Sequence, residues 1–200
     1  MFARICFFCL ALLATPVFSQ SLALPSGNNP KNPRVVIDTN HGKIVLELFA
    51  DKAPATVGNF LSYVQSGHYD NTIIHRVAKD FLIQGGAYNI NLGKKPQHNA
   101  IPLEKTTGLK NLRGTISAAR KLSDANSATS EFFINLVDNP QLDFQSANSP
   151  LNQGFVVFGQ IVDGIAVIDK IRKVATTGKN GFPELPVSPV VIRSISRVSE

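Results

Sequence analysis

Ile74-His75-Arg76-Val77-Ala78-Lys79-Asp80-Phe81-Leu82-Ile83-Gln84-Gly85-Gly86 sets one arginine among apolar residues, then a glutamine, then two glycines. Side chains along a strand point alternately to opposite faces, so Ile74, Arg76 and Ala78 fall on one side and His75, Val77 and Lys79 on the other. Phe81 and Ile83 oppose Leu82 and Gln84 in the same way. Two short strands joined by the Ala78-Lys79-Asp80 turn therefore bring Arg76 and Gln84 together beside an apolar side chain. Gly85-Gly86 permits close backbone approach.

Working outward, Arg34 to Thr39 and Lys43 to Phe49 are β-branched-rich runs separated by the hairpin signal Asn40-His41-Gly42. Asp51 is placed to cap a helix whose first turn holds Pro54. Val57, Phe60, Leu61 and Val64 fall at i, i+3, i+4 and i+7 and form one apolar stripe that ends at Gly67. On the other side of the central segment, Tyr88 to Gly108 is polar and broken by Pro and Gly, and reads as loop. Thr115 to Ala119, Glu131 to Leu136 and Gly154 to Val162 read as strands. Asp163 to Val174 is a second amphipathic helix, with Val167, Ile168, Ile171 and Val174 on one side and cations in its last turn, where they favour the helix dipole. Pro189 to Val198 alternates imperfectly and closes the sheet. Eight short strands and two helices predict a mainly β fold: a closed eight-stranded antiparallel barrel capped by two α-helices.

Two hundred residues, 44% hydrophobic and 17% charged, suit one domain with its own core. The absence of Trp and the presence of 13 Phe give that core a Phe/Ile/Val/Leu character, which suits strands. Net charge is +6, yet the basic residues are scattered, and the densest group is Lys170, Arg172 and Lys173. A nucleic-acid partner calls for a basic stripe interleaved with aromatics, which argues against one here. His41, His68, His75 and His98 lack metal-ligand spacing, and neither a G-x-S-x-G elbow nor a Gly-rich phosphate loop is present, so no cofactor or metal is expected.

Both cysteines, Cys6 and Cys9, lie in the first ten residues. Arg4, the apolar run from Ile5 to Ala14, Pro16 and the small residues near Ser19 read as a secretory signal peptide over residues 1–19. The run is too short to span a bilayer, so no stable membrane insertion is expected. Cleavage after Ser19 is the first choice and after Ala23 the alternative. Phe7-Phe8 before Cys9 argues against a lipoprotein signal. The mature chain then has no thiol, which suits an oxidising compartment: the periplasm, with secretion as the alternative. Residues 20–33 are turn formers without apolar period and read as a flexible segment ahead of a domain at 34–200.

The central segment resembles the signature of the cyclophilin-type peptidyl-prolyl isomerases, F-H-R-x-x-x-x-F-x-x-Q-G-G, with Ile74 in place of the first Phe. Gly114-Thr115-Ile116-Ser117-Ala118-Ala119-Arg120 resembles the family's G-x-[IL]-[SA]-[MA]-A segment. Ser127-Ala128-Thr129-Ser130-Glu131-Phe132-Phe133-Ile134-Asn135 is similar to its S-Q-F-F-I strand, in the wording of bacterial, periplasm-type members. Phe155-Val156-Val157-Phe158-Gly159 contains V-F-G. The likeness runs from about Arg34 to Val198. It implies rotation of X-Pro bonds during the folding of exported proteins, with Pro-containing unfolded or extended polypeptides as partners and a monomeric enzyme. It further implies Arg76, Gln84 and Phe133 as catalytic residues, and Phe81, Leu82, Ala119, Arg120, Glu131, Leu142 and Phe155 as substrate-binding ones. Alternation supports the separation of Phe133, expected to face the pocket, from Phe132 and Ile134, expected in the core.

Four departures from the family pattern stand out. Arg120 replaces an Asn common in the family, leaving a backbone contact but changing the groove's charge. Glu131 replaces the usual Gln and becomes a candidate partner of Arg76 or Arg120. The W-L-D segment becomes Gln141-Leu142-Asp143, and the histidine before V-F-G becomes Phe155. An anionic Glu131 neutralising Arg76 makes a Pro-binding module without useful turnover the rival reading, and a holdase without proline selectivity the third.

Overall fold

A computed structural model describes residues 32–104 and 107–198. The expected signal peptide and most of the expected flexible segment lie outside them. Eight strands close into an antiparallel barrel: β1 (Arg34–Thr39), β2 (Gly42–Leu48), β3 (Thr72–Ala78), β4 (Leu82–Asn89), β5 (Thr115–Ala118), β6 (Phe132–Asn135), β7 (Val157–Asp163) and, last in the chain, β10 (Val190–Arg197). Their order around the barrel is β1-β10-β3-β4-β6-β5-β7-β2. Helices α1 (Pro54–Gln65) and α2 (Ile165–Ile171) pack on it, and β8 (Thr176–Lys179) with β9 (Phe182–Pro186) forms a separate two-stranded sheet.

Alternation fills the barrel. Val35 and Ile37 of β1, Ile44, Leu46 and Leu48 of β2, Ile83 of β4, Phe132 and Ile134 of β6 and Phe158 of β7 enter one apolar cluster, joined by Val57, Phe60, Tyr63 and Val64 of α1 and Val167, Ile168 and Ile171 of α2. The expected α1 stripe holds except that Tyr63 is fully buried while Leu61 is only partly so. Tyr63 is tolerated there because its hydroxyl accepts a hydrogen bond from the His98 backbone N–H at 2.7 Å.

The details depart from expectation in four places. Asp51 caps nothing: the N-cap is Ala53, with no side-chain cap bond, and the carboxylate of Glu104 instead accepts from the N–H groups of Ala55 and Thr56, both at 2.8 Å, and from the Thr56 hydroxyl. A remote anion does the work of a local cap because Asp51 lies two residues before the cap position. Helix α2 is shorter than Asp163 to Val174, starting after Gly164 in a left-handed conformation and ending at Ile171, beyond which Val174 N–H closes a turn on the Ile171 carbonyl at 3.1 Å. Asn32 and Pro33 are tied to β2 rather than loose, since Leu48 N–H donates to the Pro33 carbonyl at 2.9 Å and the Asn32 amide to Glu47 at 3.0 Å. The β8–β9 hairpin was not expected at all. Its turn is Asn180-Gly181, both at positive φ (51° and 83°), and Asn-Gly is the dipeptide that a two-residue hairpin loop of this hand favours.

Gly86 shows why the central segment ends in glycines. Its φ is +97°, and a Cβ there would lie 2.7 Å from the Ser130 carbonyl and 3.0 Å from the Phe132 ring. Gly86→Ala combines left-handed strain with that collision, about 3 kcal/mol in all, and is expected to lower Tm by roughly 6–12 °C in a chain of this size. Thermal unfolding followed by circular dichroism measures this, and an unchanged Tm contradicts the packing described.

Candidate active site

On the outer face of the barrel three strands set their side chains in a row. Arg76 of β3 is paired in register with Gln84 of β4, and Gln84 with Phe133 of β6. Directly opposed residues on neighbouring strands have Cβ atoms about 5 Å apart, so the row is continuous. Alternation on β6 turns Phe133 away from Phe132 and Ile134, as expected.

The β3 alternation is broken, however. The β3–β4 register shifts between Ile74 and Arg76, and both Ile74 and Val77 enter the core. His75 and Arg76 are therefore both left outside the barrel interior, not on opposite faces. The bulge tucks His75 beside Tyr88 and Phe182, at ring centroid distances of 4.8 and 5.6 Å.

Beside the row lies a second apolar cluster, distinct from the barrel core. It consists of buried Leu82, Ala119 and Phe133 with partly buried Phe81, Leu142 and Phe155 packed against them. Phe81 belongs here although alternation opposed it to Leu82, because it sits in the turn before β4, where its N–H bonds the Ala78 carbonyl. Phe155 meets Phe133 edge-on at 5.5 Å. The Arg76 guanidinium carbon stands 5.8 Å from the centre of the Phe81 ring.

The polar groups fall into three sets. Gln84 Nε2–H donates to Glu131 Oε2 at 2.9 Å, and Glu131 also faces His75 Nε2 at 3.8 Å and Lys94 Nζ at 3.7 Å. Glu131 thus pairs with neither Arg76 nor Arg120. The Arg120 guanidinium bends back over Phe155, 4.6 Å from the ring centre, and donates to the carbonyls of Gly154, Pro150 and Lys121. Its charge is spent inside the loop, while its backbone N–H and C=O have no partner among the described residues. Arg76 Nε–H donates to Glu184 Oε2 of β9 at 2.8 Å. A hollow of about 380 Å³, lined by Gln84, Lys94, Arg120, Lys121, Asp124 and Glu131 among others, adjoins the apolar cluster.

The family model for cyclophilin-type peptidyl-prolyl cis-trans isomerases matches residues 34–197. The chain belongs to that family and is a peptidyl-prolyl cis-trans isomerase. It is 46% identical over 166 residues to peptidyl-prolyl cis-trans isomerase B of Escherichia coli, covering 83% of this chain and 99% of that one. The crystal structure of a Cryptosporidium parvum cyclophilin-type isomerase superposes with a TM-score of 0.68 at 29% identity, covering 84% of this chain and 99% of that one. The same protein in the presence of the dipeptide Ala-Pro gives 0.67.

In this cyclophilin every residue expected from the sequence as catalytic or substrate-binding lies in the row, in the apolar cluster or on the wall of the adjoining hollow. Sequence reasoning missed Glu184 and Phe182. The Asn180-Gly181 turn was the available signal, since it announces a hairpin between Thr176 and Pro186, but nothing local says that the hairpin folds back onto β3. With side chains about a third exposed, the Arg76–Glu184 pair adds only about 0–1 kcal/mol to stability.

His75 is 5% exposed, and burial, reinforced by the cations of Arg76 and Lys94, lowers its pKa from 6.5 to about 4. The Glu131 carboxylate pulls the other way, but at 3.8 Å without a hydrogen bond it does not outweigh the lost hydration. Because the folded pKa is depressed, the unfolded chain takes up a proton first as pH falls. Stability from the neutral ring is full above about pH 6.5, declines between pH 6.5 and 4, and levels off below, a change on the order of 3 kcal/mol. In denaturant titrations His75→Gln is expected to flatten this slope relative to the unmodified protein. An identical slope in the variant contradicts the assignment.

Proposed function

We propose that Arg76 is the donor that stabilises the twisted X-Pro amide, and that the cluster of Phe81, Leu82, Ala119, Phe133, Leu142 and Phe155 receives the proline ring. The observation that carries this is the row of Arg76, Gln84 and Phe133 along the edge of an apolar cluster outside the barrel core. Rotation breaks amide resonance against about 18–20 kcal/mol, and no covalent bond has to form. In the twisted state the proline nitrogen becomes pyramidal and gains a lone pair, so a fixed donor aimed at it favours that state over the planar one. Guanidinium stays protonated and offers several rigid donors. Bringing a bond that turns in tens to hundreds of seconds to milliseconds takes 4–5 decades, roughly 6–7 kcal/mol. One charged donor with apolar holding of the ring is of the right size.

Gln84 and the free backbone of Arg120 would hold the peptide on either side, with Glu131 orienting Gln84. Glu131 lies on Gln84 and not on Arg76, and the anion that Arg76 does meet, Glu184, takes only its Nε–H, which leaves the Nη donors for turnover. The side chains of α1 and α2 that enter the barrel cluster support one helix at each open end. No helix among the described residues is long and apolar enough to cross a membrane. Together with the leader-like residues 1–19, the cysteine-free remainder and the bacterial wording of residues 127–135, this supports a periplasmic-type enzyme, with the domain at 34–200, that acts as a folding helper for exported proteins.

Arg76→Ala is expected to lower kcat/KM on an Ala-Pro tetrapeptide by at least about tenfold in a protease-coupled assay, with Tm within about 2 °C of the original. Full activity in the folded variant removes the donor assignment. The exported protein should begin near Gln20 and carry no thiol; intact-mass measurement decides, and a mass retaining residues 1–19 or a lipid adduct on Cys9 contradicts the leader reading.

Cyclosporin, which family members with the W-L-D tryptophan bind tightly, should inhibit weakly. Gln141 is exposed, with its amide on Asn139 Oδ1 at 3.1 Å, and lacks both the broad face and the directed N–H of an indole. One hydrogen bond at about 1 kcal/mol and some 100 Å² of contact at about 25 cal/mol/Å² amount to roughly 3.5 kcal/mol, over two decades of affinity. Gln141→Trp should restore tight inhibition; potent inhibition of the unmodified enzyme contradicts the role given to Gln141.

A further inference from the structure

We infer that Glu184 is a positioning residue for Arg76, held in place by the β8–β9 hairpin. The inference rests on the reading of Arg76 as the donor. An arginine on a strand edge has several rotatable bonds, and its fork is useful to a reacting nitrogen only when it points one way. Glu184 Oε2 accepts the Nε–H at 2.8 Å, and the Nη nitrogens have no hydrogen-bond partner among the described residues. With Nε engaged on the hairpin side and the Phe81 ring against the guanidinium, the Nη edge is the part left for a bound peptide.

The strand that carries the carboxylate is well anchored. Phe182, two residues earlier and so on the same face of β9, packs edge-on against Tyr88 at 5.0 Å and against His75, the residue next to Arg76. Leu185, the next residue, is buried and paired with Thr177 across the hairpin. Val187 N–H closes the hairpin base on the Ala175 carbonyl at 2.9 Å. Glu184 therefore offers its carboxylate from a fixed strand, and draws Arg76 to the hairpin's side of the site. A pair this exposed contributes little to stability, which leaves orientation as its effect.

The test measures kcat and KM separately, by exchange NMR line shapes on an Ala-Pro tetrapeptide, for Glu184→Ala, Glu184→Gln, Arg76→Ala and the Glu184→Ala/Arg76→Ala double variant. Glu184→Ala is expected to lower kcat about five- to tenfold with KM within about twofold, because a loosened donor weakens the transition state more than substrate binding. Glu184→Gln, whose amide oxygen still accepts from Nε, should recover at least half the activity. In the Arg76→Ala background the second substitution should have no further effect. The Arg76 Nε–H resonance gives an independent readout, protected from solvent exchange in the original protein and in Glu184→Gln, and lost to exchange in Glu184→Ala even if that variant is destabilised. Unchanged kcat in Glu184→Ala, an equal loss in the Arg76→Ala background, or an unprotected Nε–H in the original protein overturns the inference. So does a higher kcat, which would make Glu184 a restraint on the enzyme. Full activity of Arg76→Ala alone instead removes the donor reading itself, and is distinguishable from all of these.

Discussion

A strand side chain can face only one of two ways, and the proposed site depends on how β6 divides its phenylalanines. Phe132 and Ile134 complete the barrel core, while Phe133 between them has no room inside and must find apolar company outside. Leu82, Ala119 and Phe155 supply it, and the same register places Gln84 and then Arg76 beside Phe133. A slip of one residue in β6 would bury Phe133, expose two core residues and leave Arg76 without an apolar neighbour across the sheet. The stability of the barrel and the assembly of the groove thus rest on one constraint.

Around that row the charged groups are sorted among separate partners. Glu131 is drawn to Gln84 and Lys94, Arg120 is turned into the carbonyls of the 150–154 loop, and Glu184 meets Arg76 from the hairpin side. Arg120 shows how a cation can be structural in a binding groove: stacked on Phe155 and bonded to backbone carbonyls, it fixes the loop that carries that ring while its own backbone stays open. Burial lowers its pKa below the ordinary arginine value.

Much of this was legible from residue order alone. The eight barrel strands, both helices and the facing of Phe133 follow from periodicity, and Arg76 beside Gln84 follows from a short turn between two alternating runs. What escaped was set by contacts distant in sequence. The β3 bulge that puts His75 outside is imposed by Ile74 and Val77 both fitting the core, which local alternation cannot foresee. Glu104 replaces Asp51 at the α1 N-terminus from 49 residues away, and Glu184 reaches Arg76 across 108. Asn180-Gly181 did carry a local hairpin signal, but the destination of that hairpin is written only in the packing of Phe182 on His75 and Tyr88.

The central claim is that the apolar cluster binds the proline while Arg76 favours the twisted amide, so affinity and turnover should separate. Two-dimensional exchange NMR of an Ala-Pro peptide bound to the enzyme reports both at once: Kd from the titration, and the interconversion rate of the bound cis and trans forms from the exchange peaks. With Arg76→Lys, which keeps the charge but loses the rigid fork, Kd should stay within a few-fold while bound-state interconversion slows by more than about tenfold. With Phe133→Ala, affinity should fall first. An Arg76→Lys enzyme that loses affinity in proportion to turnover, with bound-state interconversion unchanged, would place Arg76 in ground-state binding and contradict the account.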